Sequence, residues 1–440
     1  MKKALLKFSV FLLFVFLLVA AVFVSSSADD LIPDGAPSLD SSVGFAIYNI
    51  ENDRYVISKN ASLSVDPAST VKLMSGLIIC ESLSGRENET VTLTSEMLAL
   101  SSGKSFGLSA GMSVTVKDLM IAAFSGGYND AVNALACLSA GSVQRFVEKM
   151  NERADSLGMR STYYVNATGL DDPRMSTTLA DTVRLATTLS RFPLFLEVSS
   201  HFTYNVKLSG VTKTVYGSNL LVNENSVYFC RTVKGMNSGM TDGGGACAVT
   251  YATYGGAEYI AIAMGCPEDD TRFALIQDSL QFVYDNYGYS VYMKKGSALG
   301  VSPVRLSSGI TEAVVVLAED LTVFARKDET LKTMSTVTML SSDTLTAPVR
   351  VGDVIGYCTL WDGDTMCGVA SVTVKSDIER SAFLFYIDAV KSYLGGRAFI
   401  ATVILAVLFS AVAFVLPWIA LKLRQRKRKY VRTRSGFKLK

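Results

Sequence analysis

The chain has 440 residues, 49% of them hydrophobic, which is length for two domains and apolar mass for a packed core, so a disordered chain is excluded. Its formal charge of +2 hides a segregation. Three Lys precede Asp29 and ten Lys and Arg follow from Lys422 to Lys440, leaving 29 basic against 40 acidic residues between them. An acidic middle excludes a nucleic-acid-binding surface there.

Residues 1–28 read as a secretory signal: Lys2, Lys3 and Lys7, then an apolar run from Phe8 to Val24 broken only by Ser9, then the small residues Ser25 to Ala28. The run is long for a signal peptide, so an uncleaved anchor is the alternative. Residues 29–40 form a linker containing Pro and Gly. Val43 to Ile57 predicts two strands around a polar Asn-Asp turn. Pro67-Ala68-Ser69 leads into a helical stretch from Val71 to Cys80. Val116 to Ala140, Val143 to Leu157 and Thr178 to Leu189 also carry helical patterns. Val206 to Tyr216, Ala246 to Ala252 and Tyr259 to Met264 are strand-like, and Asp270 to Tyr287 returns to helix. Helices and strands mixed without regular alternation over residues 41–289 predict an α+β domain, an antiparallel sheet with helices packed on it.

From Ser290 to Glu379, runs rich in Val and Thr (AVVVLA, LTVFAR, STVTML, ASVTVK) predict a small β-sandwich domain over residues 290–379. A helical linker, residues 380–397, follows, with helical pattern from Ile378 to Leu394. Residues 398–421, from Ala398 to Leu421, carry no charge and are long enough at about 1.5 Å per residue to cross a membrane. The basic residues 422–440 then belong on the cytoplasmic side by the positive-inside rule, which leaves the body of the chain outside. Seven Cys form no CxxC pair. Cys358 and Cys367 are spaced to pair across a hairpin, Cys80, Cys137 and Cys247 sit in apolar runs as small core residues, and no disulfide framework follows.

The single histidine, His201, excludes a His-rich zinc peptidase, and a Ser-His-Asp triad would have to use it. In SSHFTYN it reads as a surface or half-buried residue. A hydrolase here needs another base. Ser69-Thr70-Val71-Lys72 supplies one: residues three apart share a helix face, so Lys72 lies one turn from the Ser69 hydroxyl. A buried lysine loses its proton near neutral pH and can then deprotonate the serine. The pattern alone is weak, since Ser101 to Lys104 repeats it; that copy lies in a Gly-containing stretch and reads as solvated loop.

DPASTVKLMSGLI resembles the active-site segment of the penicillin-binding D-alanyl-D-alanine carboxypeptidases, serine peptidases of family S11. The resemblance continues in order. GFAIYNIENDRYVISKNAS is similar to the hairpin before their nucleophile, and MSVTVKDLMIAAFSGGYNDAVNALA to the stretch bearing their Ser-x-Asn motif. MNERADSLGMRSTYYVNATGLDD is similar to the segment after it, KGMNSGMTDGGGACAV falls where their Lys-Thr-Gly strand belongs, and LTAPVRVGDVIGYCTL resembles part of their β module. The implied fold is a β-lactamase/transpeptidase-like catalytic domain followed by the small all-β domain and the transmembrane helix.

Two motifs depart. Aligned on Asn129, Gly127 stands where the family has a serine, with Ser125 two residues upstream. Asn237-Ser238-Gly239 stands in for Lys-Thr-Gly, with Lys234 three residues earlier as an uncertain substitute for the missing cation. The resemblance implies acyl transfer without metal or organic cofactor. Lys72 takes the proton of Ser69, which attacks the bond between the two terminal D-alanines of a peptidoglycan stem peptide. The backbone N–H groups of Ser69 and Met240 hold the oxyanion, Asn129 orients the substrate, and Ser238 and Thr241 accept the terminal carboxylate. β-Lactams are then covalent inhibitors. Loss of the cation at Asn237 removes a charge-assisted contact of about 1.5–3 kcal/mol and lets the pKa of Lys72 rise. A degenerate, wall-binding or regulatory module is the alternative reading, and a β-lactamase is a third.

Overall fold

A computed structural model describes residues 30–327 and 334–434, so the expected signal segment and the last six residues of the basic tail lie outside the described residues. Two compact units divide after Tyr289, with residues 324–327 belonging to the first.

In the first unit, α1 (Val71–Ser82) is buried from Val71 to Cys80, which its almost wholly apolar sequence requires. The helix α2 (Asn129–Ala140) ends on Gly141 at φ +81, and Ser142 then caps α3 (Val143–Ser156), its Oγ accepting from Arg145 N at 3.2 Å. Thr178 caps α4 (Leu179–Leu189) in the same way through Asp181 N, and α5 (Thr271–Asn286) follows the Ala257–Cys266 strand. The single helix expected from Val116 to Ala140 is not one helix. Val116–Met120 is α-helical, Ile121–Ser125 widens into a π turn, and the chain breaks before restarting at Asn129. Gly127, at φ +73, is the break. Apolar periodicity runs through both sides of it, so the pattern alone carries no sign of the interruption.

The strands β1 (Gly44–Asn49), β2 (Arg54–Lys59), β3 (Val233–Thr241), β4 (Gly245–Tyr254) and β5 (Ala257–Cys266) form one antiparallel sheet in the order β2-β1-β5-β4-β3. The beginning and end of the unit therefore meet at its centre, with Phe45 opposite Ala263 and Tyr48 opposite Ile260. Alternate residues of β5 enter different cores. Ile260, Ile262 and Met264 join the helical core around α1, whereas Tyr259, Ala261 and Ala263 pack with Phe273, Ile276 and Leu280 of α5. A sheet covered on both faces reads as nearly unbroken apolar runs, as β4 and β5 do. The expected strand from Val206 to Tyr216 is a hairpin, Thr203–Leu208 and Val211–Tyr216, turned by Ser209 and Gly210 at φ +49 and +81.

The second unit holds β6 (Ala298–Arg305), β7 (Glu312–Leu317), β8 (Ser335–Leu340), β9 (Leu345–Thr346), β10 (Gly356–Asp362) and β11 (Thr365–Val374), ordered β8-β10-β11-β7-β6-β9. Cys358 registers with Ala370, so Cys367 does not face it, and all seven cysteines are free thiols. The helix expected from Ile378 starts later, as α6 (Ala382–Leu394). Ile378 is held in a bridge to Val349, and Ser381 provides the cap. Last comes α7 (Arg397–Arg434), whose apolar part is long enough to cross a membrane and is unburied by protein.

One contact tests the packing around α1. A Cβ on Gly76 would lie 2.3 Å from the ring of Phe195. Gly76→Ala is expected to lower stability by about 1–3 kcal/mol in a thermal or denaturant melt. Adding Phe195→Leu should return part of that loss.

Candidate active site

The turn ahead of α1 is held tightly. Asp66 Oδ1 accepts from Ala68 N at 2.8 Å, and Thr70 N donates to Pro67 O at 3.0 Å. Ala68 is wholly buried at φ +45, a left-handed conformation that a residue with a Cβ keeps only when its surroundings over-determine it. Ser69 follows in a 3₁₀ turn, half-buried, and Lys72 lies in the first turn of α1.

Lys72 is 2% exposed, and its Nζ donates to Thr168 O at 2.5 Å. Burial, with the charge of Lys104 as the second cause, draws its pKa down to about 7. The Thr168 carbonyl is aimed by the side chain of Asn166. Asn166 Oδ1 accepts from Gly169 N at 2.7 Å and from Thr168 N at 3.1 Å, and its Nδ2 donates to Leu170 O at 2.8 Å. Gly169, at φ +80, then passes so close to the serine turn that a Cβ would sit 2.0 Å from Ala68 O and 3.0 Å from Ser69 Cα. One turn of chain thus grips the amine and touches the nucleophile's backbone. Neither Thr168 nor Asn166 was singled out by the sequence; the NATG run is an ordinary turn signal.

On the other side lies β3. A Cβ on Gly239 would fall 2.4 Å from both Cβ and Oγ of Ser69, so only glycine fits. Strand alternation puts Asn237 on the same face, 1% exposed, with Oδ1 and Nδ2 both lacking a partner among the described residues. Ser238 Oγ donates to Ser218 O at 2.7 Å, and Ser218 Oγ returns a bond to Ser238 O at 2.9 Å. Thr241 Oγ1 accepts from Gly244 N at 3.0 Å, and Met240 is 54% exposed. Lys234 is not brought to the serine. It is exposed, donates to Arg231 O at 3.2 Å, and lines a cleft with His201 and Arg231 that includes neither Ser69 nor Lys72.

Asn129 opens α2 beside the site. Its N donates to Lys104 O and its Nδ2 to Ser102 O, both at 2.8 Å, while its buried Oδ1 is unpartnered. Ser125 Oγ donates to His201 O at 3.2 Å. The hydroxyl nearest to a side chain at Gly127 is that of Ser218, 4.0 Å from where a Cβ would be, a residue that no sequence motif marks. The stretch from Ser101 to Lys104 is a loop, as expected, and Lys104 is exposed. It is not remote, because it packs on Asn129 and its charge bears on Lys72.

A family model described as D-alanyl-D-alanine carboxypeptidase matches residues 37–268, and one described as the penicillin-binding protein 5 C-terminal domain matches residues 290–380. The D-alanyl-D-alanine carboxypeptidase DacF of Bacillus subtilis (strain 168) is 27% identical over 346 residues, covering 77% of this chain and 86% of its own length. DacA of Escherichia coli (strain K12), named for the same activity, is 27% identical over 395 residues, covering 84% and 93%. The crystal structure of a peptidoglycan synthesis regulatory factor (PBP3) from Streptococcus pneumoniae matches with TM-score 0.64 at 20% identity, over 78% of this chain and 100% of that one. Penicillin binding protein 5 from Haemophilus influenzae matches with TM-score 0.60 at 21% identity, over 78% and 99%. The likeness to these two structures establishes the fold, and the match over residues 37–268 establishes the lineage: the chain belongs to the D-alanyl-D-alanine carboxypeptidase family of serine peptidases.

Proposed function

We propose that the chain removes the terminal D-alanine from peptidoglycan stem peptides through an acyl-enzyme on Ser69. The observation that carries this reading is Lys72, a buried amine with its pKa at about 7, one helical turn from Ser69. Its neutral form takes the Ser69 proton as Oγ attacks the carbonyl between the two D-alanines. The N–H groups of Ser69 and Met240 stabilise the oxyanion. D-Alanine departs as the amine with the proton from Lys72, and water then hydrolyses the ester by the reverse route. The free Oδ1 of Asn129 and the amide of Asn237 offer hydrogen bonds to the peptide. Thr241 receives the terminal carboxylate, joined by Ser238 when its hydroxyl turns from Ser218. The helix α7 crosses the membrane with its basic end in the cytoplasm, so that the catalytic unit faces the wall. β-Lactams, which mimic the acyl-D-Ala-D-Ala group, acylate the same serine.

Incubating full-length protein in detergent with labelled penicillin is expected to give a covalent adduct that Ser69→Ala abolishes, and a stem pentapeptide should release D-alanine. No adduct at any workable concentration would leave the alternative, a wall-binding module without turnover. The protonated form of Lys72 cannot act as base, so the acylation rate should rise with pH through about 7 and level off above. Gly239→Ala, whose methyl would meet Ser69 Oγ, is expected to slow acylation roughly 100-fold while leaving the melting transition cooperative.

A further inference from the structure

Lys72 works as a base only if something disfavours its charged form, and burial is the first such cause. The strand beside Ser69 contributes no cation, because the buried side chain on the face shared with Gly239 is the neutral amide of Asn237. Positive charge comes instead from the loop before α2. Ser102 O and Lys104 O are fastened to Asn129, at 2.8 Å each. A Cβ on Gly103 would lie 2.8 Å from Asn129 Nδ2 and 3.0 Å from Leu170 Cδ2, so the loop is wedged between α2 and the turn that holds Lys72. The Lys104 ammonium lies 5.0 Å from the centre of the Tyr128 ring, whose π face favours a cation.

The other charged groups around the site have partners of their own. Asp130 accepts from Ser105 Oγ and from the N–H groups of Phe106, Gly107 and Leu108. Asp171 accepts from Gly243 N and Asp172 pairs with Arg174. Lys213 donates to Phe106 O over the Phe106 ring, and Lys234 to Arg231 O. The charge of Lys104 is, after burial, the second cause that draws the pKa of Lys72 down.

We propose that Lys104 is a positioning residue for proton transfer: its ammonium, fixed over Tyr128 by a loop clamped to Asn129, supplies the positive field against which Lys72 gives up its proton. This rests on Lys72 being the base for Ser69. Lys104 is itself partly desolvated, but Lys72 is the deeper of the two amines and is the one that discharges. The segment Ser101 to Lys104, which repeats the Ser-x-x-Lys spacing by accident, thus has a use unconnected with its serine.

The test is the second-order rate of acylation by labelled penicillin, measured from pH 5.5 to 10 on full-length protein in detergent. Lys104→Met is expected to move the midpoint up by about one pH unit, so that the rate at pH 7 falls roughly fivefold while the high-pH plateau is kept. Lys104→Arg, which keeps the charge, should follow the wild-type profile. An unchanged midpoint in Lys104→Met would overturn the proposal, and so would a rate depressed equally at every pH, which marks a purely structural loop. A wild-type profile with no inflection, or an adduct surviving Ser69→Ala, would instead overturn the reading of Lys72 and Ser69 on which the proposal stands.

Discussion

A primary amine shut away from water, with one carbonyl to donate to and no carboxylate beside it among the described residues, is the constraint on which the remaining structure depends. A charged ammonium in that position would carry an effective desolvation penalty of several kcal/mol, so the neutral form is competitive near pH 7. The identity of the acceptor matters. Thr168 O takes a hydrogen bond from the amine in either protonation state and so fixes its direction. A carboxylate in its place would have fixed the charge as well, and with it the loss of a base.

The same economy of parts holds the nucleophile. Three glycines approach the Ala68–Ser69 turn so closely that a Cβ on Gly169, Gly239 or Gly244 would overlap it. Backbone from the Asn166 turn closes one side and β3 with its following turn closes the other, which is what keeps Ala68 left-handed. That enclosure is only as firm as β3, and β3 is firm because β4 beside it is buried on both faces, between the helical core and α5. The chain of cause therefore runs from two-sided apolar strands, through a fixed edge strand, to a serine held at one angle.

What the sequence made legible was local or repetitive. Ser69 and Lys72 are three residues apart, so their juxtaposition follows from helix geometry alone. The strands of the second unit announce themselves by runs of Val and Thr, and collinear resemblance ordered the rest. The partners of Lys72 were out of reach for the opposite reason. Thr168 is 96 residues away from it, and a backbone carbonyl leaves no side-chain signature. Ser218 is brought to the second motif by the return of a hairpin whose sequence carries the pattern of a single strand. The Ser101 to Lys104 stretch was correctly a loop by its Gly and Ser content, but composition says that a segment is a loop and not what the loop lies against. The π turn from Ile121 to Ser125 was invisible because its apolar positions continue the pattern of the helices on either side.

Asn129 and Asn237 give the site its particular character. Both amides are buried, and Asn129 Oδ1 and both polar atoms of Asn237 have no partner among the described residues, at about 1–3 kcal/mol for each group left unmade. A fold does not retain such groups for its own stability, and they are aligned with the serine face of β3 and the start of α2. Amides recognise a peptide by fit and direction, whereas a cation would recognise a carboxylate by charge at longer range. The interior of the site therefore holds geometry, with rigid helices and a glycine-lined strand placing neutral groups. The positive charge stands at the rim, on the exposed Lys104 side chain of a loop clamped to Asn129. Placement and field are thus carried by different side chains, the amides by their position and Lys104 by its charge.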